Sequence, residues 1–296
     1  MEIIVEIGTD EQKERIYKEL SIIDQIAKSL SIPPEAIPKV IVPENFDETI
    51  NSFTKLNRQY KSQRGHLAIA KNLPLEDGTV LVFSPLLYTS EFDGFMRMQI
   101  YSHEVLHVDS KFLFPKIPND SMADFEYFTQ FYRLFDEYYA NRMSYEITED
   151  FFEKLSFKYR KHNAAHLKGF IESITENDEL FNNIQREIFE FRIHSDLNFF
   201  LNNFWKFFET ASLSFVYIYS MFDHNPKLKR LEPILTKSPF FDDDVKSLME
   251  YFRTKFEEGN YNFFNDKELI VNFIMNFGLE FECFGKDKYY CHVLDI

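Results

Sequence analysis

Two histidines and a glutamate, His103, Glu104 and His107, stand close enough in the sequence to share one metal-dependent site. On a helix, residues four apart lie about one turn from each other on the same face, so both imidazoles can bind one ion. Glu104, rotated by about 100° from His103, can reach a water molecule in an open coordination position and accept its proton. This spacing predicts a hydrolytic zinc site within a single helical turn.

The residues that precede the motif favour a helix that carries it near its C-terminal end. Ser90 is the predicted N-cap, and Glu91 and Asp93 would complement the helix dipole in the first turn. Apolar residues recur at helical spacing between residues 92 and 106, and Pro115 predicts a stop. The competing interpretation is a pair of solvated histidines on an amphipathic helix.

The composition is that of an acidic, globular chain. Its 296 residues are 45% hydrophobic and include 35 Phe and 16 Tyr, which is sufficient for a sizeable core. The 33 Lys and Arg residues against 48 Asp and Glu residues give a net charge of −15. Such a charge disfavours a broad phosphate-binding surface, so we expect no direct nucleic-acid partner.

Cysteine content and the apolar stretches predict a cytoplasmic protein. Two cysteines, Cys283 and Cys291, provide no disulfide framework, as is typical of a reducing compartment. Residues 1–6 are acidic and lack the apolar core of a secretory signal. The most apolar long stretch, residues 199–222, is interrupted by polar side chains such as Lys206 and falls short of the roughly 20 apolar residues that a membrane span needs.

The first half of the chain alternates between strand and helix patterns, which predicts an α+β class. Alternation and short apolar runs indicate strands, while apolar residues three and four apart indicate helices. The predicted strands are residues 2–7, 38–43, 66–70 and 79–83, with a turn at 76–78 that makes the last two a hairpin. The predicted helices are residues 10–30 and 46–56, followed by the helix that carries His103 and His107.

The second half is predicted to be mostly helical and rich in Phe. Breaks are expected near Glu149, at residues 158–161 and at residues 176–179, while residues 269–296 fit either a strand pair or a helix. The Phe-rich runs are interpreted as the packed core of a helical domain. We therefore predict a metal-site domain over residues 1–148 and a helical domain over residues 149–296 that shapes or covers the cleft.

A catalytic zinc usually takes three protein ligands, and Glu137 is the predicted third. It lies in a segment of helical periodicity, on a polar stripe shared with Ala140 and Ser144. These small residues would let the segment approach the metal-binding helix closely, although a stripe of this kind can also face solvent. Asp109 and Asp136 stay open as alternative ligands or as hydrogen-bond partners of a ligating histidine.

The other histidines are interpreted as structural or solvated. His162 and His166 are also four apart, but no glutamate lies between them, and the surrounding basic residues would repel a cation. His194, His224 and His292 stand alone in the sequence.

The chain resembles the gluzincin-type metallopeptidases, and most closely the ImmA/IrrE-like family. The resemblance rests on His103-Glu104-Val105-Leu106-His107 and, about 30 residues later, Glu137-Tyr138-Tyr139-Ala140-Asn141. It implies a zincin-like N-terminal lobe, a Zn²⁺ ion bound by His103, His107 and Glu137, and Glu104 as general base. The chain departs from the family at residues 145–147, where Tyr-Glu-Ile stands in place of a run that ends in Leu-Met-Pro.

These observations together predict a zinc-dependent metalloprotease that acts on a protein or peptide substrate. An edge strand, either residues 66–70 or 79–83, is expected to pair with an extended substrate. Tyr138, Arg142 and His194 are candidates for stabilising the oxyanion. The alternatives are a regulatory or partner-binding protein with a structural or vestigial zinc site, and a zinc hydrolase of a non-peptide substrate.

Overall fold

The computed structural model describes residues 1–53, 69–117, 121–152, 169, 171–172, 174, 177–284 and 288–294. This part of the chain contains helices and strands together, which confirms the predicted α+β class. It divides into two compact units. The first comprises Met1–Leu113 and Met143–Tyr159, and the second comprises Phe114–Arg142 and Arg160–Ile296.

The first unit contains a four-stranded sheet with helices on both of its faces. Its strands are β1 (Glu2–Val5), β2 (Lys39–Val42), β3 (Ala70–Leu75) and β4 (Gly78–Phe83). Its helices are α1 (Asp10–Leu20), α2 (Ile22–Ser29), α3 (Phe46–Phe53) and α4 (Gly94–Leu113). The strand order is β1-β2-β4-β3, with β1, β2 and β4 parallel and β3 antiparallel to β4.

Alternation along the strands divides the apolar side chains between two cores. Leu81 and Phe83 of β4 belong to a core cluster that also contains residues of α1, α2 and α4. Their neighbours Val80 and Val82 belong to a cluster on the other face, which contains Phe46 of α3. This distribution follows from the period of two in a strand, and it explains why β4 reads as a continuous apolar run.

The prediction that either strand of the hairpin forms an edge is corrected in one respect. Residues 79–83 lie in β4, which pairs with β2 on one side and β3 on the other, so they form no edge. Within the described residues, β3 has β4 as its only neighbour and forms the edge. The observed strand begins at Ala70, whereas residues 66–68 of the predicted strand lie outside the described residues.

The turn of this hairpin requires a glycine. Gly78 has a φ of +146°, a conformation that side-chain-bearing residues rarely adopt. A Cβ atom at this position would also lie 2.6 Å from the carbonyl oxygen of Glu35 and 2.8 Å from Cδ of Pro38. The turn therefore fits closely against the segment that leads into β2, which helps to fix the register of β3.

The register of the hairpin determines which backbone groups of β3 face its open side. The amide of Ser84 donates to the carbonyl oxygen of Ile69 over 2.9 Å, which makes this a hydrogen-bonded pair. Hydrogen-bonded and non-hydrogen-bonded pairs alternate along an antiparallel ladder. The backbone groups of Ala70, Asn72 and Pro74 therefore point away from β4.

Helix α4 begins later than predicted. The side-chain carboxylate of Asp93 accepts hydrogen bonds from the backbone amides of Phe95 and Met96, each over 3.0 Å. Asp93 is thus the N-cap, and the prediction of Ser90 at this position is wrong. The sequence analysis places Asp93 in the first turn; because Asp and Ser are about equally good caps, propensity alone does not choose between them.

Helix α5 (Met122–Phe152) continues through Glu149, so the predicted break there is wrong. No Gly or Pro occurs in this segment to end the helix, and Ile147 and Phe152 pack on the core of the first unit. The boundaries of the two compact units differ from the predicted division into residues 1–148 and 149–296. The division into two functional domains stays a prediction. Likewise, the predicted helix 10–30 is two helices, with Ser21 between them.

The second unit contains most of the remaining helices and a small hairpin. Its elements are α6 (Asn177–His194), α7 (Leu197–His224), α8 (Asp243–Glu258), α9 (Lys267–Met275), β5 (Leu279–Cys283) and β6 (Tyr289–Val293). The predicted alternatives for the tail from residue 269 were a helix or a strand pair. The structure contains both, first the end of α9 and then the pair β5–β6. No helix in the described part of the chain is long and apolar enough to cross a membrane.

Phe side chains of the second unit pack on one another. Phe131 of α5 stacks on Phe263 with ring centroids 4.9 Å apart, and Phe208 of α7 lies 4.9 Å from Phe277 by the same measure. All four side chains are fully buried. Within the Phe-rich run of α7, Phe200, Phe204 and Phe208 are buried as interpreted, whereas Phe199 is 60% exposed.

Candidate metal centre

Helix α4 holds the histidine pair because its opposite side is buried in the first unit. Tyr101, Val105 and Val108 are at most 1% exposed and belong to the core shared with β4. These residues are three and four apart, which is the spacing of one helix face. His103 and His107 lie on another face and keep partial exposure. The packing of α4 on the sheet thus fixes the direction in which both imidazoles point.

The two imidazoles are arranged as ligands of one ion would be. Nε2 of His103 and Nε2 of His107 are 3.0 Å apart, and the rings stand at 88° to each other. At a zinc–nitrogen distance of about 2.05 Å, tetrahedral geometry separates two ligand nitrogens by about 3.3 Å. A shift of a few tenths of an ångström would suffice to accommodate the ion.

Glu137 of α5 completes a group of three side chains that could hold a metal ion. One ligand atom each of His103, His107 and Glu137 lies within 4.8 Å of the other two. Two imidazole nitrogens and a carboxylate oxygen form a donor set suited to zinc, with a fourth position left for a water or a substrate. In the part of the chain that the structure describes, no other such group of His, Cys, Asp or Glu residues occurs.

A tyrosine holds the carboxylate of Glu137. The hydroxyl of Tyr217, on α7, donates a hydrogen bond to Oε2 of Glu137 over 2.7 Å. Partners of this kind orient a ligating group and maintain its charge distribution.

Glu104 is held by an amide from the edge strand. Nδ2 of Asn72 donates hydrogen bonds to Oε2 of Glu104 over 2.6 Å and to the backbone oxygen of Glu104 over 3.1 Å. Asn72 pairs with Leu81 across the hairpin, and both side chains therefore lie on the face of the sheet that α4 covers. The edge strand and the helix that carries His103 and His107 are thus connected through the predicted general base.

The remaining ligand candidates do not join the group. Asp109 and Asp136 are absent from the three-residue set, and His162 and His166 lie outside the described residues. Among the histidines interpreted as structural, exposed His292 lies 2.8 Å from Glu282 on the terminal hairpin.

Two of the candidate oxyanion stabilisers belong to a buried polar network in the second unit. The hydroxyl of Tyr138 donates to Asp223 over 2.6 Å and accepts from Arg142 over 3.1 Å. Burial raises the pKa of Tyr138 above its ordinary value, which keeps the hydroxyl protonated. The third candidate, His194, is exposed and lies 3.2 Å from Glu190. These contacts provide no support for an oxyanion role of the three residues.

Asn72 and Tyr217 were not among the residues singled out from the sequence. Each contacts a predicted site residue that is far away along the chain, at separations of 32 and 80 residues respectively. An Asn in a strand that also contains Lys71 is a weak signal, and a Tyr within a Phe-rich helix gives none. Only the register of β3 and the packing of α7 on α5 bring these groups to their partners.

Comparison with known proteins adds no relative. No family model, no curated protein and no solved structure matches the chain.

Proposed function

We propose that this protein is a zinc-dependent metalloprotease that hydrolyses peptide bonds. The observation that carries the proposal is the grouping of His103, His107 and Glu137 within 4.8 Å, with Glu104 directly after the first histidine. A site that only stabilised the fold would need no general base beside its ligands, and it would commonly fill all four positions with protein side chains. The donor set here leaves one position open.

The chemistry is divided between the ion and the chain. Bound zinc would supply Lewis acidity, which polarises a carbonyl group and lowers the pKa of water toward neutrality. His103 and His107 would bind this ion as neutral imidazoles, and Glu137 would contribute the negative charge. Glu104 accepts a proton from the attacking water and transfers it to the amine that leaves. Asn72 supports this role because its amide donates to Oε2 and thereby holds the carboxylate of Glu104 in place.

The edge strand supports a peptide as the substrate class. β3 presents the backbone groups of Ala70 and Asn72 on its open side, where an extended peptide can add as a further strand. The side chain of Asn72 contacts Glu104 at the same point. A peptide bound in this way would run past the general base, whereas a small non-peptide substrate would make no use of the edge.

The fold is consistent with a zincin-like lobe. A small sheet is followed by a helix that carries both histidines, and a second helix carries the glutamate. We therefore retain the gluzincin-type, ImmA/IrrE-like family as the proposed affiliation.

The test compares the wild-type protein with Glu104→Gln. Gln has nearly the same shape as Glu and can still accept the hydrogen bond from Asn72, but it cannot take a proton at neutral pH. We expect full zinc content by plasma emission spectrometry and at least a ~10²-fold lower rate of cleavage of unfolded, fluorescently labelled casein.

The matched control is Glu14→Gln, which changes an exposed glutamate paired with Lys18 on α1. It should retain wild-type zinc content and activity. Unchanged cleavage by Glu104→Gln would contradict the proposed mechanism. A wild-type protein that binds zinc stoichiometrically but cleaves no peptide would favour a partner-binding protein or a hydrolase of another substrate.

A further inference from the structure

Asn72 makes both of its donor contacts with one residue. Its amide nitrogen lies 2.6 Å from Oε2 and 3.1 Å from the backbone oxygen of Glu104. The backbone oxygen can only accept, so the atom that faces it must be the nitrogen of the amide. The orientation of Asn72 is therefore fixed, and the Oε2 atom of Glu104 is fixed as an acceptor.

The other end of the same amide is buried. Among the residues that the structure describes, none forms a hydrogen bond with Oδ1 of Asn72. A buried acceptor without a partner destabilises the fold, and an apolar side chain on this face of β3 would avoid that cost. The polar group at this position is therefore explained by its contact with Glu104 and not by packing.

We propose that Asn72 is the positioning residue of Glu104, an inference that rests on the proposed function. A glutamate side chain has three rotatable bonds, and Glu104 is only partly buried. The amide restrains one carboxylate oxygen, which limits the orientations that the carboxylate can take toward the water that Glu104 deprotonates. Catalysis by a general base depends on this geometry, because the proton acceptor must lie within hydrogen-bond reach of the water.

The same residue also links the base to the register of the substrate. Asn72 forms a non-hydrogen-bonded pair with Leu81, so its backbone groups face the open side of β3. A peptide that pairs there is aligned by the backbone of Asn72, while the side chain of Asn72 aligns Glu104. A single residue thus sets both the position of the scissile bond and the direction of the base.

The test uses Asn72→Asp, which keeps the shape of the side chain and its backbone pairing but replaces the donor by a second carboxylate. Asn203→Asp is the matched control, because Nδ2 of Asn203 donates to Oε2 of Glu187 over 2.8 Å in the second unit. Zinc content, the thermal midpoint, kcat and KM would be measured for both variants. Affinity for acetohydroxamate, whose hydroxyl can donate to Glu104, gives a readout that is independent of turnover.

We expect Asn72→Asp to retain zinc and to change the thermal midpoint no more than Asn203→Asp does. Its kcat should fall by about 10- to 100-fold with little change in KM, and its affinity for acetohydroxamate should fall by about 10-fold. Asn203→Asp should leave both unchanged. If Asn72→Asp proves too unstable to purify, Asn72→Ala removes the donor without adding a charge and should show the same pattern.

The outcomes separate this inference from the proposed function. Wild-type kcat and acetohydroxamate affinity in a folded, zinc-loaded Asn72→Asp or Asn72→Ala variant would overturn the positioning role and leave the protease proposal intact. A wild-type protein without hydrolytic activity would overturn the protease proposal. In that case, loss of acetohydroxamate affinity in Asn72→Asp would still support the positioning of Glu104 by Asn72.

Discussion

The hydroxyl of Tyr217 donates a hydrogen bond to Oε2 of Glu137 over 2.7 Å. This bond restrains the carboxylate that lies with His103 and His107 in the candidate metal centre. Hydrogen bonds of this kind hold a ligating group in position at a metal site.

Tyr217→Phe should therefore weaken zinc binding while it preserves the shape of the side chain. We expect a 10- to 100-fold higher zinc dissociation constant, measured by competition with a chelating dye. Tyr219→Phe is the matched control, because Tyr219 on the same helix donates to Glu232 over 2.8 Å. An equal loss of affinity in both variants would indicate a general loss of stability of α7.

Replacement of the three proposed ligands should have graded effects on zinc binding. His103→Ala and His107→Ala should abolish stoichiometric zinc, because each leaves only two protein ligands. Glu137→Ala should weaken binding measurably, and unchanged affinity in this variant would make Asp109 or Asp136 the next candidate. His292→Ala, which removes an exposed histidine, is the control and should keep full zinc by plasma emission spectrometry.

The N-cap of α4 should contribute to stability independently of the metal. Asp93→Ala removes the acceptor for the amides of Phe95 and Met96 and should lower the free energy of unfolding by about 1 kcal/mol. Asp93→Asn keeps an acceptor and should lower it by less. Urea denaturation of the metal-free protein measures both values. A cost of Asp93→Asn as large as that of Asp93→Ala would argue against a capping role.

Cys291 should react slowly with thiol reagents. Burial raises the pKa of its thiol to about 12, whereas Cys283 is exposed. In Cys283→Ser, iodoacetamide should modify the folded protein at pH 8 roughly 10³-fold more slowly than an ordinary thiol, since only the thiolate reacts. Denaturation should restore a normal rate, and rapid modification of the folded variant would contradict the assignment.

The raised pKa of Cys291 also makes the free energy of unfolding depend on pH. The folded pKa of Cys291 lies above the ordinary value of a thiol, so the unfolded chain loses this proton first. The contribution of this thiol to the free energy of unfolding therefore decreases as the pH rises from about 9 toward 12. Cys291→Ser should reduce that part of the pH dependence.

A fragment that ends at residue 148 should be insoluble. It loses Phe152, whose ring lies 5.2 Å from that of Phe95, and it exposes the part of α5 that packs on Phe252 and Phe263. Expression beside the full-length chain and a pellet assay would measure the effect. A soluble, zinc-binding and active fragment would instead indicate independent modules and would favour a partner-binding role for the second half.

The sequence was sufficient for the part of the site that is local. His103, Glu104 and His107 lie in one helical turn, so helix geometry alone determines how they are arranged. Glu137 was predicted from a polar stripe and a resemblance, and the structure groups it with the histidines.

The N-cap of α4 and the position of the edge strand depend on tertiary structure, which a local sequence pattern does not contain. Propensity could not decide between Ser90 and Asp93 as the N-cap of α4, and the position of the edge strand depended on how the sheet is ordered. Two signals were nevertheless present. The continuous apolar run of β4 is typical of a strand with neighbours on both sides, and a proline at position 74 is typical of an edge.

Pro74 limits which strands can pair with the edge strand β3. Its backbone groups point away from β4, at a position where another residue would offer an amide proton to an incoming strand. Without that proton, a strand from a second copy of the chain cannot form a continuous hydrogen-bond ladder along the whole of β3. Edge-to-edge aggregation is therefore disfavoured. Only the stretch beside Ala70 and Asn72 stays competent to pair. Pro74 thus disfavours pairing between two copies of the chain, whereas a short peptide can still pair with β3 beside Glu104.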